Sequence, residues 1–180
     1  MLKPRDTWNW FFDEQENALM LDLGSDMLFR VNLPKKHLVD CAYTDTDFTV
    51  DDASAFQAFK ESASNLNLTE PRQAELVLNC VASKRFHKPV QPQSWFFDEQ
   101  AADYLPNEGD IVHLKNSYGE GYFMVIEVCH NASLCAYIET DEFALNGRKV
   151  LKFGEPIKVM HNRMVCANSL FEALPIALVS

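Results

Sequence analysis

The spacing of hydrophobic and polar residues changes period along this chain of 180 residues, and each change marks a different kind of element. From Thr7 to Leu33 the period is two. Trp8, Trp10 and Phe12 alternate along one face, and Leu19, Leu21 and Leu23 share another, with Met20 and Asp22 opposite. Successive side chains of a strand point to opposite faces, so this alternation predicts half-buried strands. The polar run Asp13–Asn17 and the triplet Gly24-Ser25-Asp26 break it into three, a meander whose register the alternation sets. The Trp and Phe cluster reads as core packing in preference to a ligand platform. Residues 34–50 are polar and irregular, with Pro34-Lys35-Lys36-His37 adding positive charge.

The period then becomes helical. Asp51 or Asp52 is placed to cap a helix in which Phe56, Phe59, Ala63 and Leu66 form the buried stripe. Asn65–Leu68 closes it, and Thr69 caps a second helix. There Glu70 suits the positive helix end and Pro71 sits in the tolerated first turn. Ala74, Val77, Leu78 and Val81 give the i, i+3, i+4, i+7 stripe of that helix. Lys84, Arg85 and His87 crowd its last turn, where cations suit the negative helix end. Lys88 is not explained in that way, because it precedes Pro89 and is biased to extended backbone.

Pro89–Ser94 has no periodicity and two prolines, which places a domain boundary there: residues 1–90 as one domain and 91–180 as a second. Trp95–Gln100 repeats Trp10–Gln15 letter for letter, but the flanks do not continue the match. Two aromatic strand-like segments are expected, with no repeated domain. Short strands follow: Ile111–Leu114, Tyr122–Val128, Leu134–Ile138, Lys149–Phe153 after the hairpin pair Asn146-Gly147, and Ile157–Met160 after Gly154. Regular turns between short strands predict a small barrel or curled sheet. Leu105-Pro106 followed by Gly109-Asp110 is an opening common in SH3-like barrels, a likeness of fold alone. Ser169–Val179 is an apolar end with Pro175, readable as a docked helix, a docked strand or a loose end.

Composition narrows the function classes. Hydrophobic residues make up 47% and aromatic residues 12%, enough for a substantial core. The net charge of −10 opposes nucleic acid and anionic lipid at long range, so nucleic-acid binding is not expected. The five cysteines form no CxxC pair and sit mostly in apolar runs, the usage of a reducing compartment. No signal peptide and no spanning segment are expected, and the protein reads as cytoplasmic. The N-x-[ST] matches at Asn67 and Asn131 are then chance matches.

Catalytic patterns do not occur in the sequence: no GxGxxG, Walker loop, HExxH or GxSxG. Cys129, His130 and Cys135 are the nearest approach to a metal cluster, but their spacing fits no zinc pattern. The expectation is a binding protein with no catalytic residues, no cofactor and no metal. The densest cationic stretch is Lys84–Lys88 at the helix exit, and Lys158 and Arg163 bracket a turn late in the chain. Arg85, Lys88, Lys158 and Arg163 read either as one basic patch across the junction or as four unrelated solvated cations.

An ordered series of residues then resembles a known family. It runs through Trp8-x-Trp10 with Asp13-Glu14, Met20-Leu21-Asp22-Leu23, Met27-Leu28-Phe29-Arg30 and Val50-Asp51-Asp52-Ala53. Asn67-Leu68, Ala74–Asn79, Arg85 with Lys88-Pro89, and Ser94-Trp95 continue it. Gly109-Asp110, Asn131-Ala132-x-Leu134-Cys135 and Ile157-Lys158-x-Met160-x-x-Arg163 complete it, and residues 8–95 match best. The series resembles the ZapC family of bacterial cell-division proteins over nearly the whole chain. The resemblance implies an α+β protein: an N-terminal α/β region, a β meander plus two helices, and a C-terminal twisted β-barrel-like domain. It implies a monomer at the mid-cell division ring that binds the tubulin-like GTPase FtsZ and promotes lateral association of its protofilaments. It places Leu21 in the N-terminal functional region and Arg85, Lys88, Lys158 and Arg163 at basic partner-binding positions. Gln93 stands where relatives can carry Lys, with Lys84 the candidate to restore that charge. The other reading is a small-barrel module that binds a peptide or other ligand, unrelated to division, through a groove of aromatics such as Tyr118 and Tyr122.

Overall fold

A computed structural model describes residues 2–100 and 103–172. The chain opens with strands β1 (Asn9–Asp13), β2 (Ala18–Gly24) and β3 (Met27–Arg30), paired as antiparallel neighbours. The meander expected from the alternation is present. Trp8, Trp10, Leu19, Leu21, Val31 and Leu33 are all buried on its inner side. The irregular stretch after it holds two short 3-10 turns and one element the sequence reading lacks, β4 (Thr46–Asp47). It pairs with Asn9 and Trp10 to give the sheet order β3-β2-β1-β4. Two residues in a polar run carry no periodic signal, so this strand exists only because β1 offers it an edge.

Helix α1 spans Val50–Ala63 and α2 spans Glu70–Phe86. The cap of α1 is Thr49, two and three residues before the aspartates expected for that role. Its hydroxyl accepts from the Asp52 amide (3.1 Å), and Asp52 accepts in return from the Thr49 amide (3.0 Å). Asp52 thus closes a reciprocal capping box, which satisfies two donors that the helix start would leave open. Thr69 caps α2 as expected, accepting from the Arg72 amide at 3.4 Å. The apolar stripe read for α2 is too narrow. Leu76 to Ser83 are buried without interruption, whereas Ala74 is only half-buried. A helix buried all round has neighbours all round.

Those neighbours are two sheets. The C-terminal half contains β5 (Ile111–Asn116), β6 (Gly119–Val128), β7 (Ala132–Tyr137), β8 (Phe143–Ala144), β9 (Val150–Leu151), β10 (Pro156–Met160) and β11 (Val165–Cys166). The large sheet has the order β10-β7-β6-β5-β11, all antiparallel, and β8–β9 form a separate hairpin. The large sheet does not close on itself, which fits a barrel-like description without a barrel. Every residue of β7 is buried, because both faces of the sheet are covered. On one face Ile111, Met124, Ile126, Leu134, Ala136 and Ile138 join the core that contains the N-terminal strands and both helices. On the other, Val112, Leu114, Phe123, Val125, Ile157 and Val159 pack against Phe96, Phe97 and the β8–β9 hairpin. The helices are therefore packed between two sheets.

The second copy of the repeated hexapeptide is not a strand. Ser94–Phe96 is a 3-10 turn, with Phe96 and Phe97 both buried and Trp95 69% exposed. The first copy pairs with β2 from Trp10 to Asp13 before it turns. The second follows the proline segment and drops two adjacent rings into one core, which an alternating strand cannot do. The end of the chain expected to dock or stay loose lies largely outside the described residues.

Candidate functional site

At the junction of the two halves, the 90–95 segment, the β8–β9 hairpin and the start of β10 enclose a groove of about 670 Å³. Its construction begins at the exit of α2. The Phe86 carbonyl accepts from the Val39 amide (2.8 Å) and the His37 carbonyl from the Lys88 amide (2.7 Å). These bonds bring His37 against His87, with ring centroids 5.5 Å apart and planes within 14°. His87 donates from Nδ1 to the Lys88 carbonyl at 2.6 Å. Burial lowers the pKa of both imidazoles, and in each case a neighbouring cation adds to that effect. His37 faces Lys36, Lys88 and His87, while His87 faces Lys158, offset by its bond to Lys88 and by Glu127.

The rest of the wall comes from the C-terminal half. Arg148 and Lys149 stand on the turn of the β8–β9 hairpin, fixed by their amides bonding the Asn146 side chain at 2.7 Å each. Lys158 projects from β10, and Glu155 is the one carboxylate of the lining. Trp95, Leu145, Val150 and Ile157 supply apolar surface between these charges. Basic side chains around an aromatic and aliphatic floor suit an acidic, partly apolar partner. Within about 8 Å, the screening length at physiological salt, the local field is positive although the chain as a whole is acidic.

The residues singled out from sequence divide between this groove and other places. Lys158 lines the groove, and Lys88 stands exposed beside its histidines. Arg163 lies behind it, in the 3-10 turn His161–Arg163. Its guanidinium donates to the Ser94 carbonyl (3.4 Å), Asn162 Oδ1 (2.7 Å) and Glu99 (3.2 Å), bracing the segment that presents Trp95. Arg85 faces elsewhere. It donates to Asp52 Oδ2 (2.5 Å), the Asp47 carbonyl (2.9 Å) and Thr46 Oγ1 (3.0 Å), in a second cavity of about 720 Å³ between α1 and α2. The reading of Arg85 as part of one basic patch across the junction does not match this position; a buried carboxylate on α1 captures it. Lys84 is held by Glu108 at 2.7 Å in that same cavity, so it does not restore a charge near Gln93, which lines the groove. Leu21 is fully buried, paired across the sheet with Trp10 and Phe29.

Sequence reasoning missed Arg148 and Lys149, and it took Trp95 for part of a strand. The Asn146-Gly147 signal marked the hairpin, but nothing local told that its turn would reach over β10. Tyr122 packs edge-on against Phe171 at 5.2 Å, and Tyr118 stands exposed in the β5–β6 turn. Among the described residues, no three His, Cys, Asp or Glu side chains come together as a metal site, and no helix is long and apolar enough to cross a membrane.

The fold is of the α+β class with a basic groove at the seam of its halves, and comparison with known proteins gives the family. A family model for the N-terminal domain of cell-division protein ZapC matches residues 1–88, and one for its C-terminal domain matches residues 89–169. A cell division protein ZapC of Vibrio cholerae is 56% identical over 180 residues, covering all of both chains. One from Vibrio vulnificus is 55% identical over 179 residues, covering 99% of each chain. A more distant one from Aeromonas hydrophila is 39% identical over 163 residues, covering 91% of each. The chain belongs to the ZapC family of cell-division proteins.

Proposed function

We propose that the chain is a non-catalytic division protein that binds FtsZ at the mid-cell ring and stabilises the ring by promoting lateral association of FtsZ protofilaments. The observation that carries this reading beyond the family name is the junction groove: Arg148, Lys149 and Lys158 in one lining with exposed Trp95, and Lys88 exposed beside its histidines, in a chain of net charge −10. A concentrated basic face is what an acidic protein needs in order to dock on an acidic partner. In this reading Lys88 and Lys158 meet the partner directly. Arg163 holds the groove wall, and Arg85 and Leu21 maintain the N-terminal frame on which Lys88 is mounted.

The test is sedimentation of GTP-assembled FtsZ with and without the protein. More pelleted polymer and wider bundles are expected, and polymer unchanged in both respects rejects the reading. Lys88→Glu and Lys158→Glu should each weaken co-sedimentation by about tenfold, as for a close charge at an interface. Lys60→Glu, on α1, should leave it unchanged. Equal losses in all three variants would remove the groove from the mechanism.

A further inference from the structure

β10 is an edge strand of the large sheet, and its free side forms the floor of the groove. The Tyr137 amide donates to the Glu155 carbonyl (3.0 Å), and Ile157 and Val159 lie opposite Cys135 and Ser133 in the same register. The backbone groups of these odd-numbered residues therefore face β7. Those of Pro156, Lys158 and Met160 face outward. Two outward groups are used by the chain itself: the Lys158 carbonyl accepts from the Gln93 amide (2.8 Å), and the Met160 amide donates to Ser94 Oγ (2.9 Å). Beyond that point the 91–95 segment no longer pairs. Among the described residues, the Lys158 amide and the Pro156 carbonyl have no hydrogen-bond partner, and both residues line the groove.

The spacing of this open pair is that of groups an added strand bonds. A carbonyl at one residue and an amide two residues later are the two groups that a single residue of a parallel strand bonds at once. The wide pair of an antiparallel neighbour bonds the same two groups through two of its residues, and extending either ladder toward the Lys158 carbonyl meets the Gln93 amide already there. The side chains around the pair are cationic, with Lys158, Lys149 and Arg148 in the lining and one opposing carboxylate, Glu155.

We propose that the start of β10 is a strand-addition site, at which an extended acidic segment of the protein partner lies along β10, donating to the Pro156 carbonyl and accepting from the Lys158 amide. Main-chain bonds of this kind give affinity, and the flanking side chains select the sequence. The inference rests on the groove being the partner site proposed above. It adds how the partner is held: as a strand, with acidic side chains reaching Lys149 and Lys158.

Two substitutions at one position separate the backbone from the charge. Lys158→Gln removes the charge and keeps the amide; Lys158→Pro removes both. Proline is tolerated at an edge position whose N–H points away from the ladder, and thermal melting checks that the fold is kept. With assembled FtsZ as the probe, Lys158→Gln should weaken co-sedimentation several-fold. Lys158→Pro should weaken it by about three- to tenfold more, the effect of one further hydrogen bond. Equal losses in the two variants overturn strand addition and leave the groove standing as the binding site. Wild-type binding in both overturns the groove reading itself. Site-resolved amide exchange on the unaltered chain gives the same answer without a substitution. Exchange at Lys158 should slow at least about tenfold on FtsZ polymer if the amide becomes hydrogen-bonded. Unchanged exchange there, with protein bound, overturns the proposal even where the proline variant fails to fold.

Discussion

Asp52 shows how much one side chain can join. It is 4% exposed, and a single oxygen, Oδ2, accepts from Trp10 Nε1 (3.1 Å) on β1, from the Thr49 amide at the helix cap and from Arg85 on α2. Asp52→Ala should cost about 3 kcal/mol, since it orphans a buried indole N–H, removes half of a capping box and leaves Arg85 with only its Thr46 and Asp47 bonds. Chemical denaturation measures this. Arg85→Ala should cost less, about 1–2 kcal/mol, because Asp52 keeps its other donors and the lost pair is partly solvated. If Arg85 belongs to the frame, this variant still co-sediments with FtsZ at wild-type levels below its melting temperature; a tenfold loss there would place Arg85 at the interface. The helix start near Asp52 was legible from sequence. Its bond to a residue 33 positions away was not, because charge carries no period that links distant segments.

The paired histidines give a residue-level prediction of another kind. His37, His87 and the buried His161 all have lowered pKa values, burial being the first cause in each. Between the folded value and the ordinary 6.5, the unfolded chain binds more protons than the folded one, so stability rises with pH across that window. The contribution is complete above pH 6.5 and is lost as the pH falls through it. Denaturant midpoints should therefore decline from pH 7 toward pH 5. Gln at both His37 and His87 should flatten the slope, and an unchanged slope would show that these rings do not govern it.

At the scale of elements, the sequence was most informative where one face is dry and the other wet. The meander β1–β3 alternates because only its inner side is buried, and its strands were legible to within a residue or two. The signal failed where both sides are buried. The length of α2 was clear, but its stripe was too narrow, since Leu76–Ser83 touch a sheet on either side. It failed again for the hexapeptide at Trp10 and Trp95, whose two copies adopt different structures. Six identical residues do not carry their conformation with them; β2 supplies it in one case and the core of Phe123 and Phe143 in the other. One element joint is tightly specified. Gly154 has φ +80°, and a Cβ there would lie 3.0 Å from Asn32 Nδ2 and 3.3 Å from Asn79 Nδ2. Asn79 in turn accepts from the Asn32 amide at 3.0 Å, and Asn32 donates to the Phe153 carbonyl at 3.3 Å. Gly154→Ala should lower stability by about 1–3 kcal/mol, from backbone strain together with crowding of this polar link. A thermal melt indistinguishable from wild type would show that the turn relaxes freely.

For the whole molecule, the seam between residues 88 and 91 divides the sequence more sharply than it divides the core. One hydrophobic cluster includes Trp8 and Trp10 from the first sheet, both helices, and Met124, Ile126 and Leu134 from the second. A fragment ending at Lys88 would expose the face of α2 that packs on β6, and it should aggregate or stay only partly folded; a fragment with a sharp, reversible melt would contradict this. The intact chain should show one cooperative transition by both near- and far-ultraviolet circular dichroism. Binding through the groove should weaken as salt rises from about 50 to 300 mM, because screening of the attraction to its clustered cations outweighs relief of the weaker long-range repulsion.

The helix layer locked between two sheets has a mechanical consequence. A cross-linker made of two lobes on a flexible linker acts as a tether, and the filaments it joins can lie at any separation up to its reach. With α2 gripped from both sides, this chain would act as a strut in the lateral association proposed above. Where it bridges two FtsZ filaments, the gap between them should be set by the thickness of the protein, and electron micrographs of the bundles should show one narrow spacing. A broad spread of spacings would mean that the bridge bends somewhere other than through this core.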